Sequence, residues 1–108
     1  MRLLIADDHP LFRLGLRAGL EAEGLTVVAE AATGEEALEK ALSLRPEAVL
    51  LDLRMPGLDG LSCTRKLREA GYGGVIALLT TYQEPALLRE AFRAGADATS
   101  PRSSPPPS

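Results

Sequence analysis

Four short apolar runs, separated by stretches of helical length, most constrain what this chain can fold into. They are Leu3-Leu4-Ile5-Ala6, Thr26 to Ala31, Ala48-Val49-Leu50-Leu51 and Gly74 to Leu79. Residues 2–6 show no alternation of apolar and polar side chains, which is the pattern of a strand covered on both faces. Each run leads into a segment with helix signals. Pro10 stands at a first helical position with Asp8 before it as a candidate cap, and Leu11, Phe12, Gly15, Leu16, Gly19 and Leu20 mark an apolar face up to Gly24. Thr33-Gly34-Glu35-Glu36 has the form of a capping box, followed by Ala37, Leu38, Ala41 and Leu42 on one face and Arg45-Pro46 as the stop. Met55-Pro56-Gly57 is a turn signal inside a loop from Asp52 to Asp59. Further helices are expected from about Gly60 to Ala70 and from Glu84-Pro85 to Gly95. The order β-α-β-α-β-α-β-α predicts a parallel sheet with helices on both faces, an α/β doubly wound fold.

The chain has 108 residues, enough for one domain that buries roughly 60–70% of its unfolded surface. A net charge of −3 with no basic stripe argues against nucleic-acid binding by this chain itself. No apolar run is long enough for a membrane span, and the N-terminus lacks a signal-peptide pattern. The single Cys63 excludes an intramolecular disulfide and fits a reducing cytoplasm; it reads as a small helical residue rather than a redox thiol.

Chemistry collects where the runs end. Asp7-Asp8 closes the first, Asp52 the third, and Thr80 the fourth. In an open parallel sheet, ligands bind beyond the carboxyl ends of the strands. Two carboxylates about 4 Å apart repel by roughly 4 kcal/mol at an effective dielectric near 20. Three in one pocket are expected to hold a proton or bind a cation, and a few hard oxygen ligands suit Mg²⁺. A carboxylate beside that ion can act as a nucleophile toward phosphorus. Taken one at a time, Asp8 could serve only as a helix cap, Asp52 as a loop starter and Thr80 as a turn residue. Their joint placement at the ends of alternating strands favours a site.

Five stretches resemble the receiver domain of bacterial two-component response regulators, and more closely the NarL/FixJ type. They are Ile5 to Arg13, Thr33 to Leu38, Leu50 to Gly60, Leu79 to Tyr82 and Ala94 to Asp97, within residues 1–97. The resemblance implies a flavodoxin-like sheet of order 2-1-3-4-(5). It implies that Asp52 accepts phosphate from a sensor histidine kinase with Mg²⁺. Asp7, Asp8, Asp52 and the backbone carbonyl of Arg54 are the implied metal ligands, and Thr80 the switch hydroxyl. Arg54 and Tyr82 would flank the approach to the site, Met55-Pro56 would shape the loop, and Gly60 would let the next helix approach closely. His9, the one histidine, reads as a helix-start residue. No enzyme activity on a separate substrate is implied.

The chain departs from the family after Asp97. Thr99 stands in place of the switch aromatic, and Arg102 where the phosphate-binding Lys belongs, as a doubtful substitute. Pro101 removes a ladder donor. The fifth strand is therefore expected to be degraded and the fifth helix missing, with residues 98–108 an extended or disordered Pro/Ser-rich tail. For one choice of codons, a single-nucleotide frame shift at Ala98 would restore Gly-Tyr-Leu-Pro-Lys. An uncovered sheet face beside the first helix would then favour a homo-oligomer. The alternative function is a pseudo-receiver, an interaction or dimerisation module without phospho-switching. A small Mg²⁺-dependent phosphohydrolase is disfavoured, because nothing in the sequence supplies a substrate pocket or a second general acid.

Overall fold

A computed structural model of the chain describes residues 1–80 and 85–101. The elements follow in the order β1 (Arg2–Ala6), α1 (Pro10–Ala22), β2 (Thr26–Ala31), α2 (Gly34–Leu44), β3 (Ala48–Asp52), α3 (Gly60–Glu69), β4 (Val75–Thr80), α4 (Pro85–Ala94) and β5 (Ala98–Pro101). The strands form one sheet in the order β2-β1-β3-β4-β5, and every neighbouring pair is parallel.

The expected local signals act where the sequence places them, with two refinements. Thr33 Oγ1 accepts from the Glu36 amide at 3.1 Å, and Glu36 Oε1 accepts from the Ala32 amide at 2.8 Å, so the capping box forms. At α1 the cap position belongs to His9, which makes no side-chain capping bond, and not to Asp8. Asp8 is thereby left for other work. Asp52 and Thr80, read as the first loop residues, are instead the last residues of β3 and β4.

The strand expected to be degraded is present. Ala98 to Pro101 pairs with Ala77 to Thr80 as the fourth ladder of the sheet. An edge strand is bonded on one side only, so a proline at its last position costs little. Residues 98–101 thus belong to the sheet, whereas Arg102 and the rest of the Pro/Ser tail lie outside the described residues.

The two faces of the sheet are covered unequally. Leu4, Ala6, Val49, Leu51, Ile76 and Leu78 point into a core completed by Ala37, Ala41, Cys63, Leu67 and Ala91 of α2, α3 and α4. Each of the fully buried Leu or Ile side chains contributes about 1.5–3 kcal/mol relative to an exposed one. On the other face, α1 packs over β1 and β2 without a single fully buried residue. Beside it an open hollow of about 520 Å³ is lined by Phe12, Leu16, Leu20, Leu50 and Leu79, among others.

Candidate functional site

The strand order brings the acidic residues together. β1 and β3 are neighbours, with Ala6 opposite Leu51, so Asp7 and Asp52 occupy the next level up. β3 and β4 are neighbours, with Asp52 opposite Leu79, so Thr80 flanks Asp52 from the other side. Backbone bonds continue the ladders past the strand ends: the Asp7 amide donates to the Ala31 carbonyl at 3.0 Å and the Leu53 amide to the Leu79 carbonyl at 2.9 Å. The site is therefore held by the sheet itself, which is stiffer than any loop. Gly60, at the start of α3, lets that helix approach: a Cβ there would collide with the Asp52 carbonyl oxygen and with Leu53 Cα.

Asp7, Asp8, His9 and Asp52 each offer a ligand atom, and these atoms all lie within 4.8 Å of one another. Asp7 is fully buried, and Asp52 and Thr80 nearly so. The Asp7 carboxylate accepts from the His9 amide at 2.8 Å, while the Asp7 carbonyl accepts from Arg13 Nη1 at 2.6 Å. Asp52 Oδ1 lies 3.3 Å from the Arg54 amide nitrogen, which donates to it. Asp8 Oδ1 is buried and accepts no hydrogen bond among the described residues, although His9 Nδ1 lies 3.0 Å away; that approach has ion-pair distance but not hydrogen-bond geometry.

This donor set fits a hard cation. Two carboxylates 4.8 Å apart repel by roughly 3 kcal/mol at an effective dielectric near 20, and burial makes the crowding worse. A divalent ion would offset that repulsion and give the buried Asp8 oxygen a partner. Oxygen ligands in small number, with one side open to solvent through Asp8, suit Mg²⁺ and its retained waters.

A family model for the response regulator receiver domain matches residues 3–99. This chain belongs to that family. The receiver is 41% identical over 96 residues to the nitrate/nitrite response regulator protein NarL of Escherichia coli, covering 88% of this chain and 44% of that protein. It is 40% identical over 97 residues to the response regulator GacA of Pseudomonas viridiflava, covering 89% and 45%. The chain thus spans less than half the length of these relatives. Among solved structures, it resembles the signal receiver domain of the putative response regulator NarL from Mycobacterium tuberculosis. The TM-score is 0.92 at 36% identity, covering 96% of this chain and 85% of that one. The five-stranded parallel sheet of order 2-1-3-4-5 is the flavodoxin-like receiver fold.

Of the residues singled out in the sequence, Asp7, Asp8, Asp52, Arg54 and Thr80 all converge on this end of the receiver. Tyr82 and Arg102 lie outside the described residues. His9 joins the cluster although its sequence context suggested only a helix start; its side chain is 64% exposed, at the rim. Adjacency to Asp7-Asp8 was the signal available for it. Cys63 is buried and its thiol is pushed up to about 12, by burial first and then by Asp59 and Glu35. Burial that holds the thiol protonated fits the reading of Cys63 as a small packed helical residue.

Proposed function

We propose that this receiver accepts a phosphoryl group on Asp52 from a sensor histidine kinase in the cytoplasm. The observation that supports this best is the convergence of Asp7, Asp8 and Asp52 within 4.8 Å at the carboxyl end of a parallel sheet. Asp7, Asp8, Asp52 and the Arg54 carbonyl would hold Mg²⁺, which when bound supplies charge neutralisation at the phosphoryl oxygens. An Asp52 carboxylate oxygen attacks phosphorus in line; the bond from phosphorus to the donor breaks, and the donor leaves with that electron pair. The Arg54 amide, 3.3 Å from Asp52 Oδ1, adds a weak contact that favours one orientation of the carboxylate. The Thr80 hydroxyl, on the adjacent strand, donates to a phosphoryl oxygen once it arrives. Arg102 is the candidate distal cation.

The receiver turns over no separate substrate in this scheme; its product is its own aspartyl phosphate. Its relatives include a protein about twice its length named as a probable transcriptional regulatory protein, NarL of Mycobacterium tuberculosis, so the phosphorylated state would feed transcription control through a DNA-binding output. A pseudo-receiver that binds partners without switching is the second reading, motivated by Thr99 at the aromatic switch position.

Incubation with acetyl phosphate and Mg²⁺, read by intact mass, separates the two. A gain of one phosphoryl group that disappears in Asp52→Asn is the expected result. Mg²⁺ binding with no mass gain would favour the pseudo-receiver.

A further inference from the structure

The loop between β3 and α3 carries the Arg54 peptide past the acidic pocket, and one side chain outside the loop ties down its far end. Glu35 stands in the first turn of α2. Its two carboxylate oxygens lie 3.1 and 3.2 Å from the Leu58 amide nitrogen, which donates to them. That bond is the largest influence holding the Glu35 carboxyl below its ordinary range. The surrounding backbone is shaped for the contact. A Cβ on Gly34 would collide with the Leu58 carbonyl oxygen, and a Cβ on Gly57, at φ +75°, would meet the Glu35 carboxylate oxygens at 2.6 Å. Cys63 Sγ of α3 donates to the Gly34 carbonyl at 3.6 Å, so α2, the loop tip and α3 meet at one point.

The loop is anchored elsewhere too, beginning with the Leu53 amide on the Leu79 carbonyl. The Gly60 amide donates to the Leu53 carbonyl at 2.9 Å, closing its base, and Met55 is buried in the core. Arg54 lies between them. Its amide reaches Asp52 Oδ1 at 3.3 Å, beyond the usual N–H···O range, so how the loop ends are held bears on the peptide orientation there.

We infer that Glu35 is a positioning residue for the acceptor site, fixing the tip of the β3–α3 loop on α2 and thereby aiming the Arg54 peptide at Asp52. This rests on the assignment of Asp52 as acceptor and of the Arg54 carbonyl as a metal ligand. Outer partners that orient a ligand are worth about 10–100-fold in metal affinity, and the lower end applies to a contact four residues away.

The test uses the full chain and three measurements: Mg²⁺ affinity by calorimetry, the rate of mass gain from acetyl phosphate, and the amide shift and hydrogen exchange of Arg54 and Leu58. Glu35→Ala should weaken Mg²⁺ about 10-fold, slow phosphoryl uptake similarly, and move the Arg54 amide resonance. Glu35→Gln keeps one acceptor oxygen and should restore most of the loss, which a mere contribution of charge to the helix start would not. Gly57→Ala should mimic Glu35→Ala, and the two combined should cost less than the product of the single effects. Tyr72→Phe, which deletes a bond to the Pro46 carbonyl, should lower the melting temperature without altering Mg²⁺ affinity. An Arg54 resonance and Mg²⁺ affinity unchanged in Glu35→Ala would overturn the inference. If the parent protein takes up no phosphate, the acceptor assignment fails, while the Mg²⁺ and amide measurements still decide the role of Glu35.

Discussion

The two ends of the sheet handle polar groups in opposite ways. At the amino ends of the strands, Arg68 donates to the carbonyls of Gly95, Tyr72 and Gly74 and to the Asp97 carboxylate, at 2.7–2.9 Å. Asp97 in turn accepts from the Ile76 amide, and Tyr72 donates to the Pro46 carbonyl at 2.6 Å. The Arg68 guanidinium and the Asp97 carboxylate are thus matched to each other and to the backbone. At the carboxyl ends, carboxylates crowd one another and a buried Asp8 oxygen accepts no hydrogen bond among the described residues. One end spends its polar groups on holding β3, β4 and β5 together. The other keeps an electrostatic debt that a cation and a phosphoryl group can discharge. The general lesson is that stability and function are separated along the strand axis, and substitutions should sort accordingly.

The largest break in that comparison should come from Arg68→Ala. It removes four hydrogen bonds and the cation packed 5.9 Å over the Tyr72 ring, and should cost about 2–3 kcal/mol in denaturant unfolding. The Mg²⁺ affinity of the surviving folded protein should be unchanged; a parallel loss of affinity would mean the two ends are coupled. Asp8→Asn should do the reverse. Metal-free stability should rise by about 1 kcal/mol as repulsion falls, while Mg²⁺ affinity drops at least about 10-fold. A thermal melt with and without Mg²⁺ reads both signs in one experiment.

A smaller effect concerns the face that neither end controls. Leu11, which lines the open hollow, is 83% exposed. Self-association that rises with concentration in sedimentation velocity, and is suppressed by Leu11→Glu, is the expected behaviour. A monomer at every concentration would show that the hollow is tolerated without a partner.

The smallest effect is at Glu30. Bonds from Arg17 at 2.5 Å and Arg13 at 2.8 Å hold its carboxyl below the ordinary 4.5, the Arg17 bond being the larger cause. A depressed pKa contributes stability that is present above 4.5 and lost as pH falls through the lower native value. The group is largely solvent-screened, so the effect is modest. Glu30→Gln should flatten the acid limb of the stability curve below pH 4.5 and leave the neutral region slightly lower.

Much of this was legible in the residues. Unalternating runs such as Leu3 to Ala6 specify buried parallel strands, because only a sheet covered on both faces tolerates them. The Thr33–Glu36 box and the glycines after α1, α3 and α4 mark helix ends through local geometry alone, which is why those boundaries fall within a residue or two. β5 departs from expectation for the opposite reason. Ala98 to Pro101 has little intrinsic strand preference and is held by the β4 ladder, a contact the local sequence does not announce.

For the site, the sequence alone determined the cast: Asp7, Asp8, Asp52 and Thr80, each at the end of an apolar run. Strand order and register put them within reach of one another, since residues 7 and 52 meet only because β1 and β3 are neighbours. Only the tertiary structure revealed the burial of an Asp8 oxygen with no hydrogen bond among the described residues, and the reach of Glu35 to Leu58. Local periodicity records which side chains face inward. It carries no information about which polar atoms, distant in the chain, finish within 3 Å of each other, because that depends on how separate helices pack.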